Sequence, residues 1–577
     1  MFLGNKIKEI KKIINPKNYF LLILLCFFLV ILSLLEFVGI GSIPIYISLI
    51  LDTEVFVEKF NLQFLSSYID NVNTKEELIL FSSIILLLIF VVKNLLQSFI
   101  IYFEGKLIKK IKVDLSSKLF EKYLKLEFRH FLRENSSIFI RTVNLDVGNT
   151  SIFMLNIINL VKESLLLITI CVLLLVTEPI ISICLFFYFS LTVYAFYYFT
   201  QKNLFIRGKK IQKITSDIIR NINETLGSIK EIKIFEQEEK QSKTFTSNIA
   251  NSEEYKFKNY FIKSLPRIYL EVLCIFAIVS LIIYYSLSGK DLLNFLPFLS
   301  LIVVSAIRLM PSLNAIQNAL STLKTIIPSY NHIKDELNYL DKNINFNSNI
   351  KKEINFKNFI ELKNISFSYN KNDNFVLENI DLKISNGDKI GIIGSSGSGK
   401  TTLVNIILGL MRPNFGEIII DEKKINFDEF TWSRNIGYVP QETYLIDDTI
   451  EKNILFGIDD KSDISEKLND VSKKAQILNF VISQPLKFGT EVGERGVNLS
   501  IGQKQRIGIA RALYRNPRLI VFDESTSSLD SETEKNFIED VFDQNEDKTI
   551  IFISHKKDAL IKCNKIYDLN KRTLVKE

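Results

Sequence analysis

The stretch Asp388-Lys-Ile-Gly-Ile-Ile-Gly394-Ser-Ser-Gly-Ser-Gly-Lys400-Thr401 decides how the C-terminal part of this chain folds. Its apolar first half is typical of a buried β-strand, and Leu403-Val-Asn-Ile-Ile-Leu after it is compatible with a helix. Glycines let backbone N–H groups converge on a phosphate, and the N-terminus of the helix adds its dipole. The sequence therefore predicts a phosphate-binding loop between a strand and a helix.

The side chains of this loop have separate expected roles. Lys400 can reach the β- and γ-phosphates of a nucleotide, and the Thr401 hydroxyl can ligate Mg²⁺. The motif by itself indicates only a nucleotide-binding protein. The residues predicted to contact the nucleotide are Gly394, Ser395, Gly397, Ser398, Gly399, Lys400, Thr401 and Thr402.

A second apolar strand, Leu519-Ile-Val-Phe, ends in the acid pair Asp523-Glu524. Four consecutive apolar residues are typical of a buried parallel strand. At its carboxyl end Asp523 is well placed to hold the Mg²⁺ shell, and Glu524 to polarise an attacking water. The alternative is a strand that ends in a solvated acid pair. A solvated acid pair is the less favoured interpretation, because this strand follows a phosphate loop in the sequence.

Between these two strands lies Leu499-Ser500-Ile501-Gly502-Gln503, followed by Lys-Gln-Arg-Ile-Gly-Ile-Ala-Arg-Ala-Leu. Ser500 is predicted to be the N-cap of a helix, whose exposed N–H groups make an anion site. This block resembles the signature motif of ATP-binding cassette (ABC) proteins. The usual motif is Leu-Ser-Gly-Gly-Gln, and this chain has Ile501 at the third position.

Further motifs of the ABC family match in order and spacing across residues 359–577. Gln441 resembles the Q-loop glutamine, Ser528-Leu529-Asp530 the D-loop, and His555 the switch histidine. Tyr369 resembles the aromatic residue that stacks on adenine. The segment Thr490–Gly496 looks like one found in exporter-type members.

The resemblance implies that two cassettes sandwich two ATP molecules head to tail. ATP and Mg²⁺ would then be held by the phosphate loop, Tyr369, Asp523 and Gln441 of one subunit. The signature residues Ser500, Gly502 and Gln503, together with Asp530, would complete the site of the other subunit. Catalysis would depend on Glu524, His555 and Gln441. Because Glu524 and His555 are both present, the resemblance favours a homodimer.

Six apolar segments precede residue 335, and each is about long enough to cross a bilayer. A bundle of buried soluble helices would also be apolar, but a run such as Leu165–Val176 is too continuous for one face of a surface helix. We therefore predict six spans, at about 19–50, 78–102, 153–176, 179–200, 268–287 and 292–310.

The distribution of Lys and Arg predicts the orientation of these spans. The N-terminus and the two long connections, 104–152 and 201–263, carry 28 of them, and the other three connections carry 3. The positive-inside bias places the basic side in the cytoplasm. The basic balance belongs to residues 1–340, with 37 Lys+Arg against 28 Asp+Glu, so it is explained by loops facing anionic lipid headgroups, and no nucleic-acid partner is expected.

The expected fold is an all-α transmembrane domain of six helices followed by an α/β P-loop NTPase of the ABC type. The boundaries are 1–335 for the transmembrane domain, 336–358 for a linker and 359–577 for the nucleotide-binding domain. Coupling helices are expected near His130–Ile140 and Asn223–Glu231. The outer segment 55–70 has an amphipathic stripe, which fits either a helix capping the bundle or one lying on the outer membrane surface.

Charged residues inside the spans bear on what is transported. Lys93, Arg267 and Arg308 fall on the second, fifth and sixth spans, and Glu36 is an acid in the first span. Charges at the bilayer centre cost on the order of 3 kcal/mol each, so they are expected to face a cavity or one another. Three converging cations would attract an anionic headgroup.

The sequence around Arg267 and Arg308 resembles the bacterial flippases that move lipid-linked oligosaccharides for protein N-glycosylation, and Lys93 falls where a third arginine would be. The resemblance implies a multi-pass protein of the bacterial inner (plasma) membrane with a cytoplasmic ATPase domain. It also implies a polyprenyl-pyrophosphate-linked saccharide as substrate. Two alternatives stay open, namely export of a drug, lipid or peptide, and an ATPase that acts as a switch without transport.

Overall fold

A computed structural model shows two compact units. The first comprises residues 1–126 and 134–344, and the second comprises 127–133 and 345–577. The structure describes residues 11, 13–51, 75–177, 179–287, 292–343, 352–354, 356–370, 374–426, 430–432, 435–458, 464–525, 538–539, 541–555, 560–570 and 573–576.

The first unit is built of long helices, and six of them dominate it. These are α1 (Pro16–Leu51), α2 (Lys75–Leu124), α5 (Val147–Thr177), α6 (Pro179–Gly227), α8 (Glu238–Leu287) and α9 (Leu292–Asn343). Shorter elements lie in the two long connections. They are α3 (Phe128–Phe131, which belongs to the second unit), α4 (Ser136–Arg141), a π-helix (Thr142–Asp146) and α7 (Ile229–Ile234).

The outer surface of these helices is apolar. Phe27 on α1 and Leu87 and Leu95 on α2 are exposed. Only 6% of the most apolar 18-residue stretch of α2 is buried. A soluble bundle would turn such side chains inward, because soluble monomers rarely expose large apolar patches. By length and composition, four described helical segments suit a membrane, namely Pro16–Ile50, Ile79–Leu124, Ser136–Thr177 and Leu299–Asn343.

The fourth and fifth predicted spans lie on α6 and α8. Within the described part of α8, Glu271–Ser280 is apolar but shorter than a span. Helices α3 and α4 lie where the first coupling helix was expected, and α7 begins within the second expected range. The last long helix continues through Asn343, so the start of the predicted linker is helical. The predicted amphipathic segment 55–70 lies outside the described residues.

Helix α9 packs along α5 and α6, and α1 packs against α2. Their shared core includes a stacked pair of rings, Phe153 and Tyr330, whose centroids are 4.4 Å apart. A second, smaller cluster around Ile40, Ile170 and Leu301 joins α1, α5 and α9. These contacts fix the positions of α1 and α9, which carry Glu36 and Arg308.

The second unit contains two main sheets with helices around them. The strands are β1 (Lys352–Glu353), β2 (Phe359–Phe367), β3 (Leu377–Ser385), β4 (Lys389–Ile393), β5 (Phe415–Ile420), β6 (Lys423–Lys424), β7 (Phe430–Thr431), β8 (Ile436–Val439), β9 (Leu519–Asp523), β10 (Thr549–Ile553), β11 (Lys565–Asn570) and β12 (Thr573–Lys576). The helices are α10 (Lys400–Ile407), α11 (Ile450–Ile454), α12 (Ile464–Lys474), α13 (Leu478–Ser483) and α14 (Ile501–Tyr514), with 3₁₀ turns at Lys487–Gly489 and Glu494–Gly496.

The six-stranded sheet has the order β12-β11-β4-β10-β9-β8, and only β12 runs antiparallel to its neighbour. The antiparallel sheet has the order β3-β2-β5-β6. Strands β9 and β10 are buried at every position, as expected for central parallel strands covered on both faces. The predicted fold class, a helical membrane region followed by an α/β ATPase domain, is confirmed.

Candidate functional site: a nucleotide site at the carboxyl edge of the parallel sheet

The order of four neighbouring strands creates the site. Strands β8, β9, β10 and β4 are adjacent and parallel, so their carboxyl ends meet at one edge. Gln441 follows β8, Glu524 follows β9, His555 follows β10, and Gly394 follows β4. In open α/β sheets, ligands bind at this edge. Residues more than 100 positions apart in the chain thus lie side by side.

The phosphate loop has a backbone that only glycine adopts readily. Gly397 and Gly399 have φ of +80° and +103°, and a Cβ on Gly399 would lie 2.9 Å from Leu377. A Cβ on Gly394 would lie 2.7 Å from the Ser398 Oγ atom. That Oγ is buried and has no hydrogen-bond partner among the described residues. An open cradle with an unused hydroxyl fits the phosphates of a nucleotide.

Lys400 is buried, and its ammonium lies inside this loop. Its Nζ donates to the carbonyl oxygens of Gly394 at 2.9 Å and Ser395 at 3.0 Å. The Glu524 Oε1 atom is 3.4 Å away. The ammonium is thereby held at the position predicted for a phosphate contact. Its neighbours Thr401 and Thr402 begin helix α10, Thr401 exposed and Thr402 buried.

Glu524 lies at the centre of the predicted catalytic residues. Its Oε1 atom is 2.9 Å from His555 Nε2, and its Oε2 atom accepts from Gln441 Nε2 at 3.3 Å. The backbone of Glu524 has φ of +50°, a conformation that costs free energy for a residue with a side chain and that recurs at functional sites. The structure therefore brings together the three residues predicted for hydrolysis.

Asp523, the predicted Mg²⁺ ligand, is buried beside Glu524. Its Oδ2 atom accepts a hydrogen bond of 3.3 Å from the Tyr438 hydroxyl on β8. Burial raises the pKa of Asp523, and the charge of Glu524 raises it further, whereas Tyr438 and Lys400 act in the opposite direction. Burial, together with the nearby Asp523, also raises the pKa of Tyr438. The sequence analysis did not identify Tyr438.

The residues at this edge fit a divalent cation. Asp523 and Gln441 offer oxygen atoms, and Thr401 a hydroxyl, which are the ligands that Mg²⁺ prefers. A Mg²⁺ ion held by these residues would supply positive charge next to the nucleotide phosphates.

Tyr369, predicted to stack on adenine, lies two residues after strand β2 and near the phosphate loop. Its hydroxyl lies 2.9 Å from the Thr402 Oγ1 atom, and its ring makes an edge contact with Phe367 at 5.2 Å. Arg129, which belongs to the same compact unit, donates to the carbonyl oxygen of Ser368 at 3.1 Å and also to that of Tyr369. The Arg129 guanidinium group therefore fixes the backbone at Ser368 and Tyr369.

Helix α14 begins as the sequence predicts. Ser500 is its N-cap and forms a capping box with Gln503, with distances of 3.3 Å and 2.8 Å between the reciprocal partners. Ile501 occupies the first helical position with an exposed side chain, so the replacement of the usual glycine leaves the helix start regular. Gly502 lies in the first turn. Asp530 of the predicted D-loop lies outside the described residues.

Two of the three cations predicted to bind substrate share a counter-ion. In the first unit, Lys93 Nζ lies 3.3 Å from Glu36 Oε1, and both residues are 3% exposed. Arg308 donates from Nε to Glu36 Oε2 at 3.4 Å and also contacts the other carboxylate oxygen. The three side chains carry one net positive charge. Arg267 lies in α8, but its side chain is outside the described part of the structure.

Comparison with known proteins gives three findings. The ABC transporter family model matches residues 377–527. The chain is 40% identical over 215 residues to ABC transporter B family member 6 of Dictyostelium discoideum, which covers 36% of this chain and 31% of that protein. It is 37% identical over 218 residues to the putative multidrug export ATP-binding/permease protein YgaD of Bacillus subtilis, with 37% of each chain covered.

The solved structure of a bacterial Atm1-family ABC exporter with ATP bound has a similar fold. Its TM-score is 0.75 at 20% identity, and the match covers 95% of this chain and 94% of the other. The matches by sequence, in contrast, span only about a third of those two relatives, 31% and 37% of their lengths. The C-terminal unit contains an ABC transporter ATPase domain. The chain as a whole has the fold of an Atm1-family ABC exporter.

Proposed function

We propose that this chain is one half of an ATP-driven exporter. The observation that carries the proposal is the contact of Glu524 with His555, Gln441 and Lys400 at the edge of the parallel sheet. This arrangement suits hydrolysis of a nucleotide held in the phosphate loop, because a carboxylate there can polarise a water next to the terminal phosphate.

Each residue would have a defined task in hydrolysis. Lys400 would leave the loop carbonyls to contact the β- and γ-phosphates, which would free Glu524 from the ammonium. Glu524 would then orient the attacking water, and His555 and Gln441 would hold that carboxylate in place. Thr401 and Asp523 would hold Mg²⁺, and Tyr369 would stack on the adenine.

The active form would be a dimer of identical chains. In the proposed assembly, the N-terminus of helix α14, with Ser500 and Gly502, faces ATP bound to the partner subunit. The intact capping box supports this, since it fixes the first turn and leaves the N–H groups of Ile501 and Gly502, which it does not use, directed along the helix axis. We expect Gln503 and Asp530 to take part in the same contact. Retention of Glu524 and His555 favours two equivalent sites.

The proposed cargo is an anionic amphiphile, with a polyprenyl-pyrophosphate-linked oligosaccharide or a related glycolipid as the leading candidate. The support is the Lys93–Glu36–Arg308 cluster inside the helical unit, which retains one net positive charge. Arg308 is its most exposed member, with 37% of its side chain accessible. Its fork suits a phosphate. Arg267 would add a further cation to the same path.

The test is transport by the purified full chain in proteoliposomes of polyprenyl-pyrophosphate-linked oligosaccharide, with a fluorescent phospholipid as the comparison. We expect ATP-dependent movement of the pyrophosphate lipid, and movement at background level with Glu524→Gln. No movement of that lipid by a preparation that hydrolyses ATP would refute the cargo assignment.

A variant of the charge cluster tests the cargo site separately. Arg308→Ala leaves Glu36 and Lys93 as a neutral pair, so the fold is expected to survive. We expect basal ATP hydrolysis to persist and transport to stop. The matched control is Arg220→Ala, which removes an exposed arginine paired with Asp217 on α6. Equal transport by the two variants would contradict an anion site at Arg308.

A second candidate cargo is a drug, another lipid or a peptide. It is favoured by the name of the Bacillus subtilis relative, which is a putative multidrug export protein. Stimulation of ATP hydrolysis by uncharged or cationic drugs, together with indifference to pyrophosphate lipids, would support it. An ATPase acting as a switch without transport would show hydrolysis with no translocation of either class.

The location we propose is a bacterial inner (plasma) membrane, with the N-terminus and the ATPase domain in the cytoplasm. The described helices suit a membrane by length and composition, and the basic loops give the orientation. Protection of the α4 region and of the ATPase domain from protease added outside intact cells would test this orientation.

A further inference from the structure

The buried carboxylate of Asp523 has one neighbour whose role the nucleotide motifs do not explain. Tyr438 lies on β8, next to β9, and its hydroxyl donates to Asp523 Oδ2 at 3.3 Å. Within the part of the chain that the structure describes, this is the one side-chain hydrogen bond to that carboxylate. The Tyr438 ring is partly buried and packs against the main core of the unit, so the hydroxyl has a fixed place.

A carboxylate at this depth needs a defined orientation to hold a metal ion. Asp523 is only 4% exposed, so water contributes little to positioning it. A hydrogen bond to Oδ2 restricts the rotation of the carboxyl group and leaves Oδ1 for a ligand. Partners of this kind, which touch a metal ligand and not the metal, commonly set metal affinity.

The same strand also reaches the second acid. Three residues after Tyr438, the Gln441 amide donates to Glu524 at 3.3 Å. Strand β8 and the residues just after it therefore contact both acids. Tyr438 contacts Asp523, and Gln441 contacts Glu524. An ordinary core tyrosine would bring its ring to the core without directing its hydroxyl to an acid at the nucleotide edge.

We propose that Tyr438 is a positioning residue that orients Asp523 for Mg²⁺ and so sets how strongly the nucleotide site depends on Mg²⁺. This inference rests on the ATP-hydrolysis part of the proposed function and is independent of the cargo. The hydroxyl contacts neither nucleotide nor metal in this scheme. Its effect is transmitted through one oxygen of Asp523.

The test is Tyr438→Phe in the full chain, which removes the hydroxyl and keeps the ring. Binding of a fluorescent ATP analogue is measured in EDTA and across a Mg²⁺ titration. We expect unchanged affinity in EDTA and a loss of about tenfold in apparent Mg²⁺ affinity. The turnover number at saturating Mg²⁺ is expected to recover most of its wild-type value. Binding of Mn²⁺ with the nucleotide, followed by electron paramagnetic resonance, gives a readout separate from hydrolysis.

The matched control is Tyr567→Phe on β11, a partly buried tyrosine that packs against the same core. It should leave both the Mg²⁺ titration and the Mn²⁺ spectrum unchanged. The same Mg²⁺ dependence in Tyr438→Phe and Tyr567→Phe would overturn the proposal, as would a loss of nucleotide affinity that is equal with and without Mg²⁺. If the wild-type chain fails to hydrolyse ATP while its nucleotide binding is Mg²⁺-dependent, the proposed function fails and the role of Tyr438 is still measured.

Discussion

The Nε2 atom of His555 lies 2.9 Å from Oε1 of Glu524, although the two residues are 31 positions apart in the chain. Strands β9 and β10 are adjacent and parallel, and each delivers one of the two residues just beyond its carboxyl end. The register pairs Ile553 with Asp523, so Glu524 and His555 follow this last strand pair by one and two residues. This contact makes Glu524 the group on which the other catalytic residues converge.

Replacing Glu524 with Gln keeps its size and removes its charge. We expect ATP hydrolysis to fall by about 100-fold or more, because an amide cannot act as a general base. Binding of ATP is expected to persist, since Lys400 and the loop N–H groups remain. Phosphate release and binding of a fluorescent nucleotide measure the two effects. Glu466→Gln, at an exposed acid on α12, is the control, and wild-type turnover in Glu524→Gln would contradict the assignment.

The His555 contact is tested by two substitutions. His555→Ala removes the group next to Glu524, and we expect hydrolysis to fall by about 100-fold, as when one preorganised donor is lost from an active site. His555→Gln retains a side chain that can donate a hydrogen bond and should recover part of the rate. Turnover measured at saturating ATP distinguishes the variants. Equal rates in the two variants would show that a donor at this position does not matter.

Ser500 has a structural role within the chain and a proposed role toward the partner's ATP. Ser500→Ala removes the N-cap of α14, and we expect a loss of about 1 kcal/mol in stability and a loss of hydrolysis. Ser500→Asp preserves a cap but adds a negative charge where phosphate would approach. It should therefore unfold like the wild-type chain and still lack hydrolysis. Thermal unfolding and ATPase assays decide the issue, and full activity in Ser500→Asp would argue against the contact in trans.

Gly399 tests the geometry of the phosphate loop. Gly399→Ala places a Cβ 2.9 Å from Leu377 in a backbone with φ of +103°, so strain of about 1–3 kcal/mol adds to the steric overlap. We expect a lower unfolding temperature and loss of ATP binding. The control is Gly387→Ala, where φ is +83° but no atom lies within 4 Å of the new Cβ. It should lower stability only through backbone strain and leave ATP affinity intact.

Much of the nucleotide site could be predicted from the sequence, because its parts are local. The glycine spacing, the apolar strand before it and the helix after it lie within about 20 residues, and the Ser500 cap lies three residues from its partner Gln503. Such motifs specify backbone conformation through neighbouring residues. The apolar runs of the membrane half are local signals of the same kind.

The pairing of charges inside the helical unit could not be predicted in this way. Glu36 and Arg308 are 272 positions apart, and neither has a local feature that identifies the other as its partner. The sequence indicated three converging cations and an acid in the spans but not which of them meet, whereas the structure shows that Lys93 and Arg308 share the Glu36 carboxylate. Helix packing decides which polar side chains meet, since a buried charge requires a partner but does not specify one.

The phosphate loop, the capped helix that begins after Ser500 and the apolar spans could all be predicted from local sequence. Which of these elements meet depends on how they pack in three dimensions. The strand order β8-β9-β10-β4 brought Gln441, Glu524, His555 and the phosphate loop to one edge and placed the Tyr438 hydroxyl on Asp523. Backbone preferences act over a few residues, whereas strand order and helix packing depend on burying the apolar surface of the whole unit.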